Sequence, residues 1–241
     1  MTINYPPLVD RFVSYFKVQQ RLSNVYSWTN ETSFTKPFIT VAREPGSGGR
    51  PIAHAVAEKL GFFCLDENII DEISTSVKQR RQIIKNMDER TRSVVEDILD
   101  SVLNPEHVDD MKYVTVMARV ILSYAFRGKV VIIGRGGNFL TPFAKGLHVN
   151  ITAPYDIRVQ RAMEHEGFDE ERAKEVIAEM EKERKAFVKQ YLRRDPSKIN
   201  SFDLTLNTTY FSVEAARDLI IDAFYHKFPR QLKMGPLFKR G

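Results

Sequence analysis

Cysteine is nearly absent from this chain. Cys64 alone among 241 residues excludes an intrachain disulfide and any multi-thiolate metal site. Without a disulfide framework, the cytosol is the expected address. The five histidines are scattered, with no pair at metal-ligand spacing such as HExxH, so no metal site is expected. No apolar run approaches the roughly 18 residues of a membrane span. The opening Met1-Thr2-Ile3-Asn4 has no basic region, and Asp10, Arg11 and Lys17 interrupt the next stretch of chain, so no secretory leader is expected. Acid is missing from residues 226–241, which hold Lys227, Arg230, Lys233, Lys239 and Arg240. The net charge of the whole chain is +5, so residues 1–225 carry none. A nucleic-acid groove is basic over a folded surface, and here the excess sits in a tail, which argues against nucleic-acid binding. The remaining composition is ordinary globular chemistry, 43% hydrophobic and 28% charged. The length fits one large domain, or one domain with an inserted lid.

Residues 1–35 read as an N-terminal helical extension. Leu8, Phe12, Tyr15, Phe16, Leu22, Val25 and Trp28 take helical spacing behind Pro6 and Pro7. The expectation is a helix packed on the main body, with a homodimer contact as the alternative because the stripe is aromatic. Residues 36–225 form the domain proper, and 226–241 a basic tail.

Within the domain, Phe38–Ala42 is a short apolar run suited to a buried strand. A glycine-rich stretch comes next, and then Ile52, Val56 and Leu60 mark a helix with Pro51 in its first turn and Gly61 at its stop. Phe62–Leu65 suits a second strand. Residues 67–127 read as helical throughout, in three apolar stripes (Ile69 to Val77, Val94 to Val102 and Val114 to Ala125), with Asn104-Pro105 separating the second and third. Val130–Ile133 is a third strand, ending in Gly134-Arg135-Gly136-Gly137. Leu147, Val149 and Ile151 alternate with polar residues as a fourth, and Leu204 and Leu206 mark the last. A helix from Ser212 to Phe228 closes the domain. Strands separated by helices predict a parallel sheet covered on both faces. Residues 156–194 carry ten acids and ten bases. They read as exposed helices, either a solvated face or a mobile lid that brings arginines to a phosphate.

In such a sheet, ligands bind beyond the carboxyl ends of the strands. Glu44-Pro45-Gly46-Ser47-Gly48-Gly49-Arg50 lies at that end of the first strand and opens a helix. Glycines let successive N–H groups turn inward, and a helix N-terminus adds partial positive charge. Gly46, Ser47, Gly48, Gly49 and Arg50 are therefore the candidate phosphate cradle. The loop departs from GxxxxGK[ST], because Gly49-Arg50-Pro51 stands where lysine and hydroxyl are expected. A tight turn without ligand is the alternative.

Ile39-Thr40-Val41-Ala42-Arg43-Glu44 followed by Gly46-Ser47-Gly48-Gly49-Arg50 resembles the opening of the cytidylate kinase-like family, relatives of the bacterial cytidylate kinases. The resemblance continues through Ala57–Gly61, Leu65-Asp66, Val130–Asn138, Arg158, Arg161, the stretch near Arg184 and Asp203–Thr209. It implies a P-loop kinase fold: a five-stranded parallel sheet with helices on both faces, a helical acceptor region about 67–127 and a lid about 156–200. It implies transfer of the γ-phosphoryl group of ATP, with Mg²⁺, to a nucleoside monophosphate, CMP or dCMP first. In that frame Arg50 stands in for the lysine, Arg135 grips acceptor phosphate, and Arg184 reaches the transferring group. Asp66, Arg158 and Arg161 border the acceptor. Two positions depart from the cytidylate kinase pattern: Gly136 where an aspartate follows the arginine, and Glu72 where an arginine is placed. These departures point to a different small acceptor as one alternative. The missing lysine and hydroxyl point to a nucleotide-binding module without transfer as another. Asp66 also suits a helix cap, Arg158 and Arg161 suit ion pairs with Glu164 or Glu166 on the same helix, and Arg184 suits one with Glu181.

Overall fold

The computed structural model describes residues 36–76, 89–103, 111–141, 145–197 and 199–229. The expected N-terminal helix with its dimer contact, and residues 230–241 of the tail, lie outside the described residues.

The apolar runs become five strands: β1 (Phe38–Arg43), β2 (Phe63–Leu65), β3 (Val130–Ile133), β4 (Gly146–Thr152) and β5 (Leu204–Asn207). All pairings are parallel, in the order β2-β3-β1-β4-β5. Helix α1 (Gly49–Leu60) follows β1, and α2 (Glu67–Thr75) follows β2. Helices α3 (Glu89–Val102) and α4 (Met111–Arg127) precede β3, and the single turn α5 (Gly137–Leu140) follows it. Helices α6 (Tyr155–Glu166) and α7 (Glu170–Leu192) lie between β4 and β5, and α8 (Val213–Lys227) closes the described fold.

Period-two side-chain alternation divides the core into two layers. Phe38, Leu65, Val130 and Ile132 point to the layer built with Ile70, Ile98, Met117 and Ile121 of α2, α3 and α4. Ile39, Val41, Val131, Ile133, Val149 and Ile151 point to the opposite layer with Ile52 and Val56 of α1 and Ile220 and Phe224 of α8. Helices thus cover both faces, as the sequence pattern requires. Local signals hold at the ends. Gly61 ends α1 in a left-handed conformation, Asp66 caps α2 through Ile69 N–H, and Ser212 caps α8 through Ala215 N–H.

The described part of 67–127 is helical as expected and forms three helices, with Ser76 extended after α2. The polar side of β4 is covered as well: His148 is fully buried beside the Phe38 ring, and its Nδ1 lies 2.6 Å from the Thr40 hydroxyl of the adjacent strand β1. Among the described residues, no helix is long and apolar enough to cross a membrane.

Candidate active site

The carboxyl end of β1 runs straight into the glycine-rich loop. Gly46 and Gly48 hold φ of +75° and +76°, a region that side-chain-bearing residues avoid. Gly48 is the N-cap of α1. The first N–H groups of a helix have no acceptor within it, and here they belong to Gly49 and Arg50. The mouth of the loop is therefore a suitable seat for an anion.

The loop is fastened from behind by α6. Arg158 is buried, and it donates from Nε to Ala153 O at 3.0 Å and from Nη1 to Pro45 O at 3.3 Å. It pairs with Glu181 of α7 at 2.7 Å and lies 3.6 Å from Glu44. Glu44 in turn accepts from Ala153 N–H. Arg161 donates to Ser47 O at 3.3 Å and to both oxygens of Thr208, whose hydroxyl also donates to Ser47 O at 2.8 Å. The Ser47 hydroxyl donates to Glu44 O. Burial raises the Glu181 carboxyl, but bonds from Arg158 and Lys185 more than offset this and leave it below the usual range. Arg158 and Arg161 thus lie against the loop, and neither takes the expected partner on its own helix. Glu164 bonds Gln160 instead.

Three other arginines converge on Glu67, the first residue of α2. Arg43, the last residue of β1, pairs with Glu67 at 2.7 Å and is almost wholly buried. Arg184 of α7 donates to Arg43 O at 3.1 Å. Arg135 stands after β3 in a left-handed conformation (φ +49°), an uncommon setting for a side chain of this size. It pairs with Asp71 of α2 at 2.6 Å and faces the Phe187 ring of α7, while its Nε is buried without a hydrogen-bond partner. Tyr113 of α4 donates its hydroxyl to the other Asp71 oxygen.

Charge in this cluster is unbalanced toward the positive. Burial raises the Glu67 carboxyl, yet Arg43 first, then Arg184 and Arg135, hold it below the ordinary value. Burial and the Arg43 charge lower the Arg184 guanidinium to about 10, with Glu67 opposing and Arg135 adding. Burial lowers Arg135 too, but Tyr113, Asp71 and Glu67 outweigh it and leave it raised. Burial and the bond to Asp71 push Tyr113 up to about 12. Three guanidiniums against two carboxylates, Glu67 and Asp71, leave one positive charge in excess, which suits an incoming polyanion.

Arg50 is placed elsewhere. It is half exposed and pairs with Asp66 at 2.8 Å, with His54 3.6 Å from the same oxygen. Burial raises Asp66, but the Ile69 N–H and Arg50 lower it below its ordinary value. Asp66 is thus both helix cap and Arg50 partner. The structure brings Arg135 and Arg184 together and adds Arg43, Glu67, Asp71 and Tyr113, which sequence reasoning had not singled out. One signal was available: Arg43 is a charge at the end of a buried strand, where ligands bind in this architecture. Among the described residues, no group of three or more His, Cys, Asp or Glu could hold a metal.

Comparison with known proteins bears on the family and the fold. The model of the cytidylate kinase-like family matches residues 38–210. The cytidylate kinase of Ignicoccus hospitalis is 26% identical over 185 residues, covering 76% of this chain and 95% of that one. A uronate isomerase of Corynebacterium glutamicum is 28% identical over 118 residues, 49% of this chain, and the match spans only 23% of that protein's length. A crystal structure of an uncharacterized protein from Eubacterium ventriosum shares the fold with a TM-score of 0.59 at 21% identity, covering 78% of this chain and 98% of that one.

Proposed function

The chain belongs to the cytidylate kinase-like family, and from that premise we propose that it is an ATP-dependent phosphotransferase acting on a small phosphorylated acceptor, CMP or dCMP first. The observation that carries the reading is the cluster of Arg43, Arg135 and Arg184 around Glu67 beside the Gly46–Gly49 loop. Phosphoryl transfer needs positioning and charge neutralisation more than covalent help. An acceptor phosphate oxygen forms the new P–O bond as the bond between the γ-phosphorus and the β–γ bridging oxygen breaks, giving ADP and a diphosphate.

In this reading the loop amides of Gly46, Ser47, Gly48 and Gly49 take the donor phosphates. Arg184 reaches the transferring group from α7, and Arg135, oriented by Asp71 and Tyr113, grips acceptor phosphate. Asp66, joined to Arg50, borders the acceptor side. Arg158 and Arg161 act as positioning residues that hold the loop. The donor enters as MgATP, its ion carried largely by phosphate oxygens and water, a habit of Mg²⁺. The cytosol is the proposed address.

A coupled ATP assay against CMP, dCMP, UMP and AMP tests the proposal. Turnover with at least one acceptor is expected. No turnover with any of them, in folded protein, overturns it. The absent lysine and hydroxyl favour a second reading, a nucleotide-binding module without transfer. Stabilisation by millimolar ATP without turnover would select that reading.

A further inference from the structure

We propose that Arg43, not Arg50, supplies the cation missing from the loop's lysine position. The inference rests on the phosphotransferase reading and names the residue that would touch the donor phosphates. With Gly48 as the last glycine of the motif, Gly49 occupies the place of the lysine. The space that a side chain at 49 would need is already filled. A Cβ there would lie 2.5 Å from Arg43 Cβ and 3.0 Å from Arg43 Cγ. The aliphatic stem of Arg43 therefore crosses the base of the loop over Gly49.

Its guanidinium continues across the top of the sheet to lie over Gly134, whose own Cβ would collide with Arg43 Nη1. Glycine at both 49 and 134 clears one continuous channel for a single arginine. The charge that a lysine would project from the loop is delivered instead from the strand end beneath it. The side chain is 8% exposed, so it is fixed rather than free to wander. Glu67 bonds one edge of it, and Arg184 donates to the backbone carbonyl of Arg43. A guanidinium has five N–H donors, so pairing with Glu67 is compatible with a second anionic partner. Arg50 is half exposed and already engaged by Asp66.

The test compares wild type with Arg43→Gln, Arg50→Gln and the double variant Arg43→Gly/Gly49→Lys, glycine being needed at 43 because the Arg43 Cβ itself blocks a side chain at 49. Arg43→Gln keeps much of the stem and removes the charge, and circular dichroism verifies folding of each protein. Two readouts are taken: kcat and KM for ATP with whichever acceptor is turned over, and the melting-temperature rise given by inorganic tripolyphosphate. Arg43→Gln is expected to lose about a hundredfold in kcat/KM, the scale of one removed transition-state donor, and most of the tripolyphosphate stabilisation. Arg50→Gln is expected to fall less than tenfold. The double variant, with the stem gone and a lysine in the vacated channel, is expected to recover at least tenfold over Arg43→Gln. Full tripolyphosphate stabilisation and near-wild-type kinetics in Arg43→Gln overturn the proposal, as does a larger loss from Arg50→Gln. If wild type turns over no acceptor, the phosphotransferase reading fails by itself. The tripolyphosphate arm then still decides whether Arg43 meets phosphate.

Discussion

Replacing Arg158 with alanine probes whether the loop is held in shape from behind. The side chain is 7% exposed, and its removal strips a donor from Ala153 O and Pro45 O and a cation from Glu181 and Glu44. Breaking a buried pair by deleting one partner costs about 3–5 kcal/mol, because a charge is left uncompensated. Glu181 and Glu44 are 26% and 39% exposed, so water takes up part of that loss. The expected destabilisation is therefore about 2–3 kcal/mol, or a melting temperature lower by about 4–12 °C for a domain of this size. Urea denaturation and thermal melts read this directly. Adding Glu181→Gln to Arg158→Ala is expected to recover part of it, since Glu181 would otherwise keep only the exposed Lys185 as its partner. The KM for ATP should rise in the single variant, because Pro45 loses its tether. A change within about 0.5 kcal/mol, the range of an ordinary surface substitution, would refute the assignment of Arg158 as the brace.

Ile132→Ala, in the middle of the sheet and fully buried, is expected to cost about 2–4 kcal/mol in chemical denaturation. Asp66→Ala removes the α2 cap and is expected to cost about 1 kcal/mol or more, while Asp66→Asn keeps the cap and loses only the pairing with Arg50. Glu67 and Asp66 both have carboxyls held below their ordinary values in the fold. Their stabilisation is complete above the unfolded range, about pH 4–4.5, and is lost as pH falls through the lower folded values. Acid unfolding of Glu67→Gln should accordingly be less steep below about pH 4 than that of wild type. A slope equal to wild type would count against the Arg43–Glu67 pairing.

The sheet was legible because runs such as Val130–Ile133 are apolar on both faces and bounded by glycine. The loop was legible because its glycines sit between a buried run and a helical stripe. His148 was not, since an alternating pattern alone does not say that both sides of β4 are covered, nor that Thr40 is there to bond the ring. The arginine partners were equally hidden. Arg184 meets Arg43 across 141 residues of sequence and Arg135 meets Asp71 across 64, contacts that depend on the packing of α7 and α2 over the strand ends. Sequence spacing offered Arg158 the acids of its own helix, Glu164 and Glu166. The fold turns it inward because Pro45 O and Ala153 O need a donor where water is excluded.

The most direct measurement is a crystal structure of the protein with a non-hydrolysable MgATP analogue. The β- and γ-phosphates are expected within hydrogen-bonding distance of the amides of Gly46–Gly49, with the Arg43 guanidinium against them. Phosphates bound away from that loop, or a loop left empty at saturating nucleotide, would contradict the account.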